Sequence, residues 1–298
     1  MSVEITTAFV NEYKSGIEML VQQMSSVLRS AVRVETVMGK KSSFDQVGVV
    51  GAKKRTSRHA DTPRVDTPHR RRWVTTGKYE VSDLLDEDDK IRTLNDPTNA
   101  YSETFAAAMA RAMDMEVAAA ALGTSVTGED GEINIALPAG QIIVAGGTGF
   151  TLAKVKEASR RLKAGNAVDG RRKLHIAWTS FQEDQFIDTP EVKSIDFNTQ
   201  KVLMQGGVNE FYNFTFHRME DWTDELGNLN RIIPKPAGER QCFAWVEDGL
   251  LLGIAKDITG RISELPTKSY SVQPYYCMQI GATRMQEPKV IQINCVEP

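Results

Sequence analysis

The chain has 298 residues, 41% hydrophobic and 25% charged, a globular composition long enough for about two domains. The formal net charge is −3, so the whole molecule is not a polycation that coats nucleic acid. Cys242, Cys277 and Cys295 stand singly, without a CxxC or a Cys/His quartet; this suggests neither a zinc knuckle nor a disulfide frame and suits a reducing cytoplasm.

Met1 to Thr7 carry Glu4 and no basic flank, so the start of the chain does not read as a signal peptide. Phe9, Tyr13, Ile17, Leu20, Met24 and Val27 then recur at helical spacing. This amphipathic helix either packs on its own subunit or serves as an arm on a neighbour. After a break at Gly39 to Lys41, Phe44 to Val50 and Arg72 to Val81 predict two strands. The tip between them holds turn formers: Ser57, Asp61, Thr62, Pro63, Asp66, Thr67 and Pro68. The segment has few large apolar residues yet strand-like Val, Thr and Trp, so it reads as an extended arm and not as plain disorder. An isolated hairpin is barely stable in water, so such an arm needs a surface to dock on.

The charge along this region is uneven. Lys53, Lys54, Arg55, Arg58, Arg64, Arg70, Arg71 and Arg72 are opposed locally only by Asp61 and Asp66, and an acidic run follows at Asp83, Asp86, Glu87, Asp88 and Asp89. These residues are the candidate contacts between subunits. Two readings of the basic arm stand side by side: pairing with a neighbour's acidic run, or binding DNA phosphates. Binders of single strands interleave aromatics with their cations, and only Trp73 does so here, which favours protein pairing.

Asp96–Pro97 is a helix start, and Gly123 a stop. Between them Tyr101, Phe105, Ala108, Ala112, Met115, Ala119 and Leu122 predict one apolar seam on a helix roughly 39 Å long. Arg111, Asp114 and Glu116 interrupt it, so it does not span a membrane. Short strands follow at Glu132 to Leu137 and Gln141 to Ala145. A helix through Leu152, Val155, Ala158 and Leu162 opens at Phe150 or Thr151 and closes near Gly165. Leu174 to Trp178 is a buried strand, and Ser180 with Glu183 predicts a capped short helix through Phe186. Val208 to His217 alternates as a strand. Cys242 to Ile254 carries both strand and helix signals. Tyr270 to Tyr276, Met278 to Thr283 and Val290 to Asn294 close the chain as strands.

Chemical motifs are weak. Val144 to Leu152 resembles the glycine turn of a dinucleotide-binding unit, but the third glycine position falls near Leu152 and Asp169 precedes the next strand instead of ending it. His59, His69, His175 and His217 show no metal spacing, and no GxSxG is present. Glu183 and Asp184 fit a solvated helix face. Neither an enzyme, a cofactor nor a metal is implied.

The order of parts carries more information. Phe44-Asp45-Gln46-Val47-Gly48, the Arg70–Arg72 run, Asp89-Lys90-Ile91-Arg92 before Asp96-Pro97, Arg111 and Asp114 in the long helix, Trp245-Val246-Glu247-Asp248, and Ile280-Gly281-Ala282-Thr283-Arg284 follow one another along nearly the whole chain. Together they resemble the major capsid proteins of tailed bacteriophages, with the Hong Kong 97 type of fold. The resemblance implies an α+β fold with an N-terminal arm (1–39) and an extended loop or β-hairpin (40–78). It implies a peripheral domain (79–148 and 264–298) with its spine helix at 97–122, and an axial domain (149–263).

It further implies a structural protein that self-assembles into hexamers and pentamers of an icosahedral shell around double-stranded DNA. The partners would be copies of itself, a separate scaffolding protein, a portal, a decoration or cement protein, and packaged DNA without sequence preference, but no membrane. Assembly would occur in the host cytoplasm and the product would be the virion capsid. Some relatives form lysine–asparagine crosslinks; Lys53, Lys54 and Lys78 lie in or near the corresponding arm. The alternatives are an encapsulin-like nanocompartment shell with the same fold, and a nucleic-acid-binding protein acting through the basic arm.

Overall fold

The computed structural model describes residues 22–59, 61–62, 64–85, 98–189, 208–224 and 226–297. In chain order its elements are β1 (Arg33–Thr36), β2 (Lys41–Val47), β3 (His69–Thr75), β4 (Gly77–Ser82), α1 (Thr98–Leu122), β5 (Ser125–Thr127), β6 (Ile133–Ile135) and β7 (Ile142–Ile143). There follow α2 (Leu152–Ala164), β8 (Leu174–Trp178), α3 (Ser180–Ile187), β9 (Glu210–Phe211), β10 (Phe214–Arg218), β11 (Trp222–Thr223) and β12 (Leu229–Asn230). The last strands are β13 (Glu239–Val246), β14 (Leu250–Leu265), β15 (Ser271–Arg284) and β16 (Val290–Val296). Of the expected N-terminal helix face, Phe9 to Leu20 lie outside the described residues, and Met24 and Val27 lie in a stretch that is not helical.

A four-stranded sheet, in the order β1-β14-β15-β4, packs under α1. A six-stranded sheet, β7-β16-β13-β8-β10-β9, carries α2 and α3 over one core. A third sheet, β2-β3-β5-β6, forms the base of the hairpin arm. The α+β class follows from this segregation of helices and mixed sheets.

Helix α2 buries Leu152, Val155, Ala158 and Leu162, the face read from the sequence, with Thr151 as N-cap and Gly165 as C-cap. The cap of helix α3 lies one residue earlier than expected: Thr179 and not Ser180 is the N-cap, and its backbone N–H donates to Gln182 Oε1 at 3.2 Å. The ambiguous Cys242–Ile254 segment is all strand, broken only by a turn at Glu247–Gly249. Val208–His217 is a hairpin, because Tyr212 and Asn213 both take positive φ (51° and 65°) and reverse the chain between Phe211 and Phe214. The two strands expected between Tyr270 and Thr283 are one strand, β15, running through Cys277, and Tyr270 precedes it with a positive φ of 58°.

The spine helix α1 ends at Gly123, whose N–H donates to Ala119 O at 2.8 Å. Its buried face differs from the expected seam. Met109, Met113, Val117, Ala118 and Ala121 enter the core, whereas Ala119 is exposed. An alanine- and methionine-rich helix is apolar on nearly every side, so periodicity does not choose the face. Two charged groups do. Asp114 is fully buried, and its carboxylate accepts from Gln23 Nε2 (2.6 Å), Ser26 Oγ (2.6 Å), Val27 N (3.0 Å) and Leu28 N (3.0 Å). Arg284 is also fully buried; its Nη1 donates to Ala121 O (3.0 Å) and Gly123 O (2.8 Å), and its Nη2 to Ile135 O (3.1 Å).

Two further features set the layout. The core under α1 continues into the six-stranded sheet through Ala177, Phe243 and Trp245, and Trp245 Nε1 donates to Ala31 O at 2.8 Å. The segment 264–298, expected to return whole to the spine-helix layer, divides instead. Strand β15 stays under α1, while β16 pairs with β13 and β7 and places Ile291, Ile293 and Cys295 in the α2/α3 core. The end of β16 is fixed by Arg240, which binds Glu297 through Nε–Oε2 and Nη2–Oε1, both 2.8 Å, and Asp221 through Nη1–Oδ1 at 2.7 Å. The Arg240 guanidinium draws the Glu297 carboxyl down to about 2.

Removing the Asp114 carboxylate strands four donors, of which Leu28 N is buried and the other three are part-buried. Asp114→Ala is expected to destabilise the subunit by about 3 kcal/mol, read as a lowered urea midpoint with unchanged slope. An unchanged midpoint removes Asp114 as the anchor of residues 23–28.

Candidate assembly interface

The arm is built from its base outward. Strands β2 and β3 pair from Lys41↔Thr75 to Val47↔His69, and β3 pairs with β5 through Arg72↔Thr127 and Trp73↔Val126. Alternation along β3 sorts its side chains: Arg72 and Val74 point inward, and Arg71 is half-exposed on the other face. Arg72 Nε donates to Met285 O at 3.0 Å, and its Nη2 forms a short ion pair with Glu287. Arg71 Nε meets Asp45 Oδ1 at 2.6 Å across the hairpin, and Trp73 Nε1 donates to Gly128 O at 2.9 Å. The base is therefore part of the subunit body, with Val74, Leu251, Met285 and Phe44 as a small core of its own.

The expected second strand, Arg72 to Val81, breaks at Thr76. Thr76 N donates to Lys40 O at 3.0 Å, and from there β4 joins β15 in the other sheet through pairs from Gly77↔Ile280 to Ser82↔Tyr275. Gly281 makes this crossing possible: a Cβ there would lie 2.1 Å from Thr75 O.

Beyond Val47 and His69 no strand is present among the described residues of the arm. Lys53, Lys54, Arg55, Arg58, Arg64 and Arg70 are exposed, as are Val47, Val49, Val50 and Val65. Among the described residues none of these cations has an ion-pair partner; Arg55 Nε only caps Ser57 O at 2.7 Å. Asp83 is exposed and its Oδ1 accepts from Leu84 N at 2.8 Å. Asp86, Glu87, Asp88 and Asp89 lie outside the described residues. The structure thus separates the sequence candidates: Arg71 and Arg72 are engaged within the chain, by Asp45 and Glu287, and the tip cations have no ion-pair partner among the described residues.

Two sites of apparent chemistry resolve as packing. In the glycine turn before α2, Phe150 N donates to Gln185 Oε1 (2.8 Å), and Lys154 Nζ binds the carbonyls of Thr148 (2.9 Å), Gly149 (2.9 Å) and Asn294 (2.8 Å). The turn aims carbonyls at a lysine of its own chain, the reverse of a phosphate cradle. His175 and His217 lie on adjacent parallel strands with Nδ1 and Nε2 3.0 Å apart, both stacked on Trp245. Spacing of 42 residues hides this pair from any sequence motif.

These sheets, the spine helix and the projecting hairpin define a shell-forming capsid type of subunit. The structure is similar to the capsid of cyanophage P-SCSP1u, with a TM-score of 0.72 at 15% identity over 99% of this chain and 95% of that chain. It is also similar to the capsid of Ralstonia phage GP4, with a TM-score of 0.71 at 12% identity over 98% and 96% of the two chains. Against the capsid of Helicobacter pylori bacteriophage KHP30 the TM-score is 0.70 at 11% identity over 99% and 98%. No curated protein matches at the level of sequence. A family profile described as phage capsid protein matches residues 5–297, and the chain belongs to that family. It is a structural subunit of a phage capsid shell, and neither the nanocompartment nor the nucleic-acid-binding alternative is favoured.

The different settings of the two arginines have an energetic consequence. Arg72 is 3% exposed and faces Glu287 at 15%. Arg72→Ala leaves that carboxylate without its cation and is expected to cost about 3 kcal/mol. Arg71→Ala, on the wet face, should leave the urea midpoint unchanged. Equal effects would contradict the inward and outward assignment.

Burial pushes both His175 and His217 down to about 4 from 6.5. Both fold as neutral rings, so their contribution is full above about pH 6.5 and is lost as the pH falls through about 4. His217→Gln removes one of the two titrations. Its urea midpoint should fall less steeply than that of the unchanged protein between pH 6.5 and 4; parallel curves would mean that the pair does not titrate in this window.

Proposed function

We propose that this subunit closes its shell through the arm tip. Many copies form hexamers and pentamers of an icosahedral lattice around the double-stranded DNA of a tailed phage, and each tip lies on a neighbouring subunit. The supporting observation is the contrast within one hairpin. The base engages Arg71, Arg72 and Trp73 inside the chain, while the tip exposes cations that have no ion-pair partner among the described residues, beside exposed valines. A tip with no fold of its own gains order on a partner. Acidic groups, including Asp83 and the run Asp86 to Asp89, supply the complementary charge. Each contact is weak, but symmetry repeats it in every subunit.

The subunit divides into an N-terminal arm (1–39), an extended loop (40–78), a peripheral domain (79–148 with 264–298) and an axial domain (149–263), and β16 packs with the axial layer. Assembly takes place in the host cytoplasm, with a separate scaffolding protein and a portal. A decoration protein and non-specific contacts to packaged DNA complete the particle.

The test uses the tip, since the base is structural. A variant with Lys53, Lys54, Arg55, Arg58 and Arg64 changed to Glu is expected to fold with unchanged melting and to fail to form closed shells by electron microscopy, without DNA and with scaffold present. Normal empty shells that lose only their DNA would assign the tip to nucleic acid. Unfolding would place the tip in the subunit core.

A further inference from the structure

Strands β14 and β15 form a long hairpin whose pairing slips twice, between Ile254 and Lys256 and between Lys256 and Thr259. The slip carries Lys256 over Cys277, which faces Thr259 across the ladder, and brings Lys256 Nζ to 3.0 Å from Cys277 Sγ. The other two thiols differ. Cys242 and Cys295 are fully buried, and burial pushes the Cys242 thiol up. Lys154, 3.9 Å from Cys295 Sγ, already donates to three carbonyls. Lys256 is exposed, and among the described residues it faces no carboxylate within ion-pair distance. Its only hydrogen bond there is to the sulfur. The flexible four-carbon stem can swing aside, so a small oxidant reaches a thiol that is otherwise 4% exposed.

The nearby charges favour the thiolate, the reactive form. The Lys256 ammonium pulls the Cys277 thiol down, with Tyr275 and Lys78 acting in the same direction. Lys78 and Glu80 pair at 2.6 Å, and Tyr275 Oη donates to Glu80 at 2.8 Å, so this face of the sheet is polar and ordered.

We propose that Cys277 and Lys256 form a peroxide-driven, thiol-reversible covalent staple across this hairpin. The Cys277 thiolate attacks hydrogen peroxide: an S–O bond forms, the O–O bond breaks, and the departing hydroxide takes a proton from the Lys256 ammonium to give water. The neutral amine then attacks the sulfenic sulfur. An N–S bond forms, the S–O bond breaks, and the second hydroxide leaves as water with a proton from nitrogen. Sulfur is oxidised by two electrons, peroxide is reduced, and the chain ends two hydrogens lighter. The staple joins the strands where the ladder is irregular and so stiffens a segment that hydrogen bonds hold least well. Its natural setting is the oxidising medium outside the cell, since the reducing cytoplasm reopens it.

The experiment treats the purified folded protein with hydrogen peroxide and maps peptides by mass spectrometry, before and after a thiol reductant. The expected product links the Lys256 and Cys277 peptides with the loss of two hydrogens and reverts on reduction. Lys256→Arg keeps a cation beside the sulfur but cannot close the bond. It should yield Cys277 sulfenic acid, captured by dimedone, with no linked peptide. The proposal is overturned if the unchanged protein gives the same dimedone adduct as Lys256→Arg and no link. It is equally overturned if Cys277 stays unmodified.

Discussion

The layout of the subunit depends on two buried charges that act on one helix. Helix α1 is apolar nearly all round, and its packing alone would allow several rotations about its axis. Asp114 accepts four donors from residues 23–28, and Arg284 holds the carbonyls at the helix end. Both groups are expensive to bury without partners, and the bonds they make favour one rotation and one axial position, although Arg284 Nε has no partner among the described residues. Arg284 also sits at the negative end of the helix dipole, where a cation is favoured. Dispersion and burial supply the bulk of the attraction; the two charges choose among arrangements that would otherwise be close in energy.

The same clamp explains how distant parts of the chain share a layer. Asp114 reaches back to the segment before β1, and Arg284 ends β15 and touches Ile135 O. Trp245 then joins that early segment to the six-stranded sheet through Ala31 O. The arm base leaves this body at a notch made by two facing glycines, Gly253 and Gly281, where side chains would strike Val37 and the Thr75 carbonyl. The base of the arm is thereby seated closely against the sheet that packs under α1.

Much of this was legible in the sequence, for reasons that differ by element. Helix α2 mixes charged and apolar residues, so its face at Leu152, Val155, Ala158 and Leu162 could be read directly. The order of arm, spine helix and closing strands supported the family resemblance, because order survives when single motifs are weak. The face of α1 was not legible, since alanine at Ala108, Ala112 and Ala119 carries no directional signal. The run from Arg72 to Val81 alternates without a mark at Thr76, and the bend there is imposed by Gly281, more than two hundred residues on by sequence number. Strand β16 reads identically whichever sheet it joins; its pairing with β13 is settled by Arg240, which fixes Glu297 at its end.

The arginine run shows how a linear cluster of like charge dissolves in a strand. Period-2 alternation sends neighbours to opposite faces, so Arg71 and Arg72 never act as one patch. Arg72 finds Glu287 in the interior, and Arg71 finds Asp45 across the hairpin. That neutralisation stops where the ladder stops. Past Val47 and His69 the hairpin holds one more backbone bond, from Gly48 N to Pro68 O at 2.7 Å, and beyond it Lys53, Lys54, Arg55, Arg58 and Arg64 are exposed without an ion-pair partner among the described residues. The unpaired cations of the arm therefore lie beyond the end of its ladder, with the exposed Val49, Val50 and Val65 in the same stretch. Like charges gathered along that stretch repel one another, a cost that the isolated subunit bears.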